Sequence, residues 1–115
     1  MKSANERPLT MVEKLLSNKV GAAVHPGQVL PVKADYAMAT DGSAPMAIDF
    51  FNQLESEVKF PGRILLFEDH YVPCPNDKVA ALLNKMEQFA DRHKVRLYKE
   101  GEGICHRLML EKGYV

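Results

Sequence analysis

The stretch Arg63-Ile-Leu-Leu-Phe-Glu-Asp-His, residues 63–70, decides the fold class of this chain. Its apolar residues follow one another without alternation, which is typical of a strand buried on both faces, as in a parallel sheet. The pair Asp69-His70 follows the apolar run, separated from it by Glu68 alone. Because open α/β sheets hold their ligands at the carboxyl ends of the strands, a functional site is expected at this pair.

Helices are predicted on both sides of this strand. Apolar residues at helical spacing predict a long helix over residues 77–93, and the capping-box spacing of Thr10 and Glu13 predicts a short one over residues 11–18. Two more helices are predicted over residues 44–56, after the N-cap Ser43, and over residues 104–112. Two more strands are predicted over residues 28–33 and 94–98. Alternating strands and helices indicate an α/β fold: a three-layer-like segment with a mostly parallel small sheet flanked by helices.

Length and composition fit one soluble domain. The 115 residues are 46% hydrophobic and 26% charged, and we expect a flexible tail over 1–8 and a single α/β domain over 9–115. Lys+Arg and Asp+Glu number 15 each, so no net charge favours nucleic acid or an anionic membrane. No apolar run has the ~20 residues of a membrane helix, and the first seven residues lack a signal-peptide core, so we expect a cytoplasmic protein.

The pair Asp69-His70 is the sharpest candidate for chemistry. A carboxylate beside an imidazole can fix its tautomer and raise its basicity, which suits the histidine to proton transfer near neutral pH. The alternative is an exposed turn dipeptide after a strand, and composition alone favours that alternative.

Two further loops carry candidate residues. His106 follows two glycines in Gly101-Glu-Gly-Ile-Cys-His, where a close backbone approach and a helix amino terminus could receive a carboxylate. The loop Thr40-Asp41-Gly42-Ser43 offers hydroxyls before a helix, with Ser43 as the expected N-cap. The alternatives are a glycine turn for the first loop and ordinary turn and cap chemistry for the second.

Metal and thiol chemistry are the weaker hypotheses. His70 and Cys74 are four residues apart and Cys105 adjoins His106, but adjacent side chains on a helix diverge by roughly 100°, so no metal site is predicted. Cys105 lies at a helix start near a histidine, which could lower its pKa, yet no orienting partner can be named. Both cysteines are expected to be reduced.

Four segments together resemble a known family. Residues 10–16, 39–45, 67–70 and above all Gly101-Glu-Gly-Ile-Cys-His-Arg-Leu-Met-Leu-Glu-Lys-Gly resemble the amino-terminal segment of the large subunit of 3-isopropylmalate dehydratase and homoaconitase, in the aconitase superfamily. The resemblance implies a partial aconitase-type domain. It also implies a hydro-lyase of leucine or lysine biosynthesis, which dehydrates and rehydrates a hydroxy di- or tricarboxylic acid with a [4Fe–4S] cluster.

The resemblance also implies roles for individual residues. Asp69 and His70 would form the catalytic pair that protonates the departing hydroxyl, and His106 would be a second catalytic histidine that hydrogen-bonds near the iron-bound oxygen. The substrate-binding residues would be those of the loop between the first strand and the following helix: Thr40, Asp41 and Ser43.

The departures from the family limit what the chain is expected to do alone. The family's three cysteine ligands lie outside this sequence, so we expect no cofactor in this chain and no activity of the chain by itself. We expect either self-association or a complementary dehydratase subunit as partner, and a small hydroxy acid as ligand. The alternative function is a non-catalytic module that binds a carboxylate or interacts with a subunit.

Overall fold

The computed structural model describes residues 7–114, which contain four α-helices and a small parallel sheet. The predicted tail over 1–8 lies outside the described residues except for Arg7 and Pro8. The chain divides into two compact units, residues 1–34 and 35–115, and the single domain over 9–115 stays a prediction. The elements, apart from one 3-10 turn at Pro61–Arg63, are α1 (Met11–Val20), β1 (Ala37–Thr40), α2 (Ala44–Gln53), β2 (Ile64–Phe67), α3 (Asp77–His93), β3 (Arg96–Tyr98) and α4 (Cys105–Glu111).

Helix α1 of the first unit begins at the predicted capping box. The amide of Glu13 donates to the Thr10 hydroxyl at 3.2 Å, and the amide of Thr10 donates to the Glu13 carboxylate at 2.8 Å. Arg7 also pairs with Glu13, and this bond together with the Thr10 amide lowers the pKa of Glu13 to about 2. The helix extends past the predicted residue 18 because Gly21, with φ of 75°, supplies the left-handed C-cap.

The predicted strand over 28–33 is wrong, because residues 28–33 form no regular element. Pro31 lacks a backbone donor, and Val29 is 97% exposed and therefore has no packed neighbour to favour a strand. The first strand is instead β1, which lies at Ala37–Thr40. It was missed because Ala-Met-Ala-Thr has little intrinsic strand propensity, and its pairing with β2 outweighs that propensity.

The sheet of the second unit confirms the α/β prediction. Its order is β1-β2-β3 and both pairs are parallel. In the central strand β2, Leu66 packs in a core with residues of α2 and α3, whereas Leu65 and Phe67 pack in a core with residues of α4. The central strand is therefore buried on both faces, as its uninterrupted apolar sequence predicts.

The register brings all three strand ends to one edge of the sheet. Thr40 pairs with Phe67, and Phe67 pairs with Tyr98, so the loops after β1, β2 and β3 begin side by side. Each of these loops carries one of the candidate sites. Helix α3 has its predicted bounds, while α2 ends at Gln53, before the predicted residue 56. No helix among residues 7–114 combines the length and apolar character needed to cross a membrane.

Candidate functional site

Asp41, the first residue after β1, anchors the loop that follows β2. Its side chain has no exposed surface, and its carboxylate accepts the amide of His70 at 3.0 Å and the amide of Tyr71 at 2.8 Å. Its own amide donates to the carbonyl of Phe67 at 2.9 Å, which continues the sheet by one residue. Asp41 was predicted to bind substrate, but its carboxylate is committed to holding the backbone of the next loop.

Asp69 connects the other two loops. One carboxylate oxygen lies 2.6 Å from Nδ1 of His70, and the other accepts the amide of Cys105 at 2.7 Å. Only 5% of the Asp69 side chain is exposed. Burial raises the pKa of Asp69, but the bonds from the Cys105 amide and from His70 outweigh burial and hold that pKa below its ordinary value. Asp69 is therefore ionised at neutral pH and can orient the imidazole.

His70 has the arrangement of a proton-transfer group. A carboxylate at 2.6 Å favours the tautomer with hydrogen on Nδ1, since only that tautomer donates to Asp69. The ring is 53% exposed, and among the described residues Nε2 has no hydrogen-bond partner. The amide of His70 is held by Asp41 at the same time, so both the backbone and the ring of this residue are positioned by buried acids.

His106 directly follows Cys105, the first residue of α4, and the amide of Cys105 is the one bonded to Asp69. The His106 side chain is exposed. The expected free helix terminus is partly occupied, since the first amide of α4 already binds the carboxylate of Asp69. A catalytic role for Asp69, His70 and His106 stays a prediction, but Asp69 draws the loops that carry these residues together.

The loop from Thr40 to Ser43 is compact. Ser43 occupies the predicted N-cap position of α2, but its hydroxyl makes no cap bond and instead accepts the amide of Thr40 at 3.2 Å. Sequence reasoning did not single out Tyr71, which lies over this loop: a Cβ at Gly42 would be 3.6 Å from the Tyr71 hydroxyl. The substrate-binding role of Thr40, Asp41 and Ser43 stays a prediction.

Three side chains come close enough to suggest a metal site. Among the described residues, ligand atoms of Asp41, Asp69 and His70 lie within 4.8 Å of one another. The oxygens of both acids, however, already accept backbone amides or the imidazole. A cation that took Nδ1 of His70 as a ligand would break the bond between that nitrogen and Asp69, so the cluster is better explained as hydrogen-bonded support for His70.

The cysteines do not fit an iron–sulfur cluster. The sequence contains two, Cys74 and Cys105, whereas a [4Fe–4S] cluster is held by three or four thiolates. Burial, and then the neighbouring Asp69 carboxylate, raise the pKa of the Cys105 thiol, so the low pKa considered from the sequence is wrong. The exposed Cys74 thiol donates to the carbonyl of Asn76 at 3.3 Å. No chemical step is therefore assigned to a cluster held by this chain.

Glu68 lies beside the site and was not singled out from the sequence. It is 5% exposed, and its Oε1 has no hydrogen-bond partner among the described residues. Burial raises its pKa, and the charges of Glu87 and Asp41 act in the same direction, whereas Lys99 opposes them. A glutamate next to Asp69-His70 is easily assigned to an exposed turn, because no sequence signal shows that it is buried.

Comparison with known proteins identifies several relatives, although no family profile matches the chain. It is 33% identical over 104 residues to the homoaconitase large subunit of Thermus thermophilus, and 39% identical over 105 residues to the methanogen homoaconitase large subunit of Methanocaldococcus jannaschii. It is also 39% identical over 110 residues to the 3-isopropylmalate dehydratase large subunit of Thermoanaerobacter pseudethanolicus. These matches cover 90% to 93% of this chain but only 25% to 26% of each relative. The chain thus spans about a quarter of the length of these curated relatives.

Proposed function

Because the chain belongs to the family of the 3-isopropylmalate dehydratase and homoaconitase large subunits, as an amino-terminal-like segment of them, we propose that it supplies the acid–histidine part of a hydro-lyase site. The substrate class is a hydroxy di- or tricarboxylic acid, in keeping with the names of these relatives. The proposal rests on one observation: the carboxylate of Asp69 binds both Nδ1 of His70 and the amide of Cys105. Cys105 immediately precedes His106.

His70 acts as the general acid in the dehydration direction. Hydroxide is a poor leaving group, and a proton passed from Nε2 of the imidazolium to the hydroxyl oxygen lets it depart as water. Asp69 stabilises the imidazolium through Nδ1, and in the hydration direction Nε2 takes the proton back from water. Positioned general acids of this kind typically contribute ~10²–10⁴-fold to a rate.

The neighbouring loops complete this chain's share of the site. His106 offers a second imidazole that can hydrogen-bond an oxygen of the substrate, and the hydroxyls of Thr40 and Ser43 lie at the same edge of the sheet. Asp41 supports the site by fixing the amides of His70 and Tyr71, and it thereby positions the catalytic loop.

We propose that the remaining parts of the reaction come from residues outside these 115. The chain matches about a quarter of its relatives, and its two cysteines do not make a cluster site. Removing a carbon-bound proton and expelling hydroxide is too demanding for two histidines without a Lewis acid. We therefore propose that the 115-residue chain is inactive by itself.

A chimeric enzyme tests the catalytic assignment. The matched segment of the Thermoanaerobacter pseudethanolicus large subunit is replaced by this chain, and hydration of an unsaturated diacid is followed by the loss of ultraviolet absorbance. We expect His70→Gln to lower kcat by at least ~10²-fold. His106→Gln should also lower kcat.

The matched control is His25→Gln. His25 is exposed, and its hydrogen bond to Gln28 is made by its backbone amide, so exchanging its imidazole should leave turnover unchanged. A folded, active chimera whose kcat does not respond to His70→Gln would contradict the proposed function.

A further inference from the structure

Helix α2 presents large apolar side chains on the face opposite to its core contacts. Met46, Phe50 and Leu54 are 65%, 63% and 70% exposed, and we call these three residues the α2 outer stripe. At ~100° per residue they span about 80° of the helix surface, and the centre of that arc lies roughly 160° from Ile48. Ile48 belongs to the buried core, so α2 is apolar on two opposite faces.

A helix that is apolar on opposite faces is typical of the interior of a larger protein. The single charged residue of α2 is Asp49, and its carboxylate is already paired with Lys85 of α3 at 2.7 Å. The helix has no basic residue to favour an anionic membrane or a nucleic acid. The α2 outer stripe therefore suits an apolar protein surface.

The size of the stripe argues against a second copy of this chain as the occupant. Three such side chains, two-thirds exposed, offer roughly 300 Å² of contact surface. A stable interface usually buries ~800 Å² on each partner. A partner that also contacts other parts of the chain does not need the stripe alone to hold it.

We propose that the α2 outer stripe is the docking surface for the polypeptide that corresponds to the remaining three-quarters of the large subunit. The relatives that match 90% to 93% of this chain carry that additional length. Helix α2 is also directly linked to the candidate site, because residues 41–43 of that site connect β1 to α2. The inference rests on the proposed function, because the docked polypeptide would be the one that completes the site.

Thiol labelling measures this docking without relying on activity. Phe50→Cys is introduced in a Cys74→Ser background, because Cys74 is exposed, and its reaction with a maleimide is timed. The isolated chain is compared with the Thermoanaerobacter pseudethanolicus chimera. We expect labelling at position 50 to be at least 10-fold slower in the chimera.

The control position is Gln88, an exposed polar residue of α3 on the side of that helix opposite its buried residues Met86 and Ala90. Gln88→Cys should label at similar rates in the isolated chain and in the chimera. Equal rates at position 50 in both proteins, or equal slowing at positions 50 and 88, would overturn the assignment. Labelling at position 50 that slows as the concentration of the isolated chain rises would identify a second copy as the occupant and would also overturn it.

The two proposals fail in different ways. If position 50 is protected in the chimera but His70→Gln does not change turnover, the proposed function is wrong and the docking surface stands. If His70→Gln abolishes turnover but position 50 is not protected in the chimera, the docking surface is wrong and the proposed function stands.

Discussion

Replacing Asp69 by asparagine tests how the site is built. In the native chain its carboxylate accepts the Cys105 amide at 2.7 Å and lies 2.6 Å from Nδ1 of His70. The side-chain carbonyl of the asparagine can still accept a hydrogen bond from the Cys105 amide. The side-chain NH₂ of the asparagine then faces Nδ1 of His70 and must donate to it. This is possible only if His70 changes to the tautomer with hydrogen on Nε2.

The expected loss of stability follows from these two bonds. Hydrogen bonds to a charged group contribute ~1.5–3 kcal/mol and neutral ones ~0.5–1.5 kcal/mol, so making both bonds neutral should cost about 2 kcal/mol. The matched control is Asp49→Asn. It breaks an exposed ion pair with Lys85, in which the aspartate side chain is 56% exposed, and such pairs contribute ~0–1 kcal/mol.

Two measurements read out this substitution. All four tyrosines lie within residues 35–115, so tyrosine fluorescence during urea unfolding reports the second unit alone. Nitrogen-15 NMR of the His70 ring reports its tautomer. If Asp69→Asn destabilises the unit no more than Asp49→Asn does, or leaves the Nδ1–H tautomer in place, the described role of Asp69 is refuted.

Three further predictions concern stability. The pKa of Glu13 is lowered to about 2 in the folded chain, so ionised Glu13 stabilises the fold above its ordinary pKa and this stabilisation is lost as the pH falls towards 2. In Glu13→Gln the stability should no longer fall over this pH range. Circular dichroism of helix content can follow the difference. Because burial raises the pKa of Glu68, the folded state favours its protonated form. Glu68→Gln should therefore increase the free energy of unfolding at neutral pH, and this increase should vanish in acid. Unfolding curves at both pH values measure it, and an increase that persists in acid would contradict the prediction. Gly103→Ala should lower the unfolding free energy by ~1–3 kcal/mol, because φ is 138° and the new Cβ would lie 3.1 Å from Leu108. Gly113→Ala is the control: its new Cβ meets no atom within 4 Å, and only the left-handed φ of 73° strains it. Equal losses of unfolding free energy at both positions would contradict the prediction.

Local sequence signals predicted the elements whose side chains carry a clear pattern. The apolar run of β2 and the helical spacing of α3 led to elements close to those observed, and the capping box of α1 is present. β1 was missed because its strand character comes from pairing with β2 and not from its own residues. Conversely, the β-branched residues of 28–33 have no neighbouring strand, so propensity alone was misleading there.

The candidate site could be located from the sequence, but its internal bonds could not. Polar residues after successive strands indicated which loops meet, because parallel strands end at a common edge. The attachment of Asp41 to the amides of residues 70 and 71 depends on contacts between residues about thirty positions apart. The burial of Glu68 and the raised pKa of Cys105 likewise depend on surroundings created only by the folded chain.

The most direct measurement of the central claim is hydration of an unsaturated diacid by the 115-residue chain alone and by the chimera, each reconstituted anaerobically with iron and sulfide and assayed over a range of protein concentrations. We expect no turnover by the chain alone at any concentration, and turnover by the chimera that is lost with His70→Gln. Cluster-dependent turnover by the chain alone would contradict it, because the chain would then hold a cluster that its two cysteines do not fit.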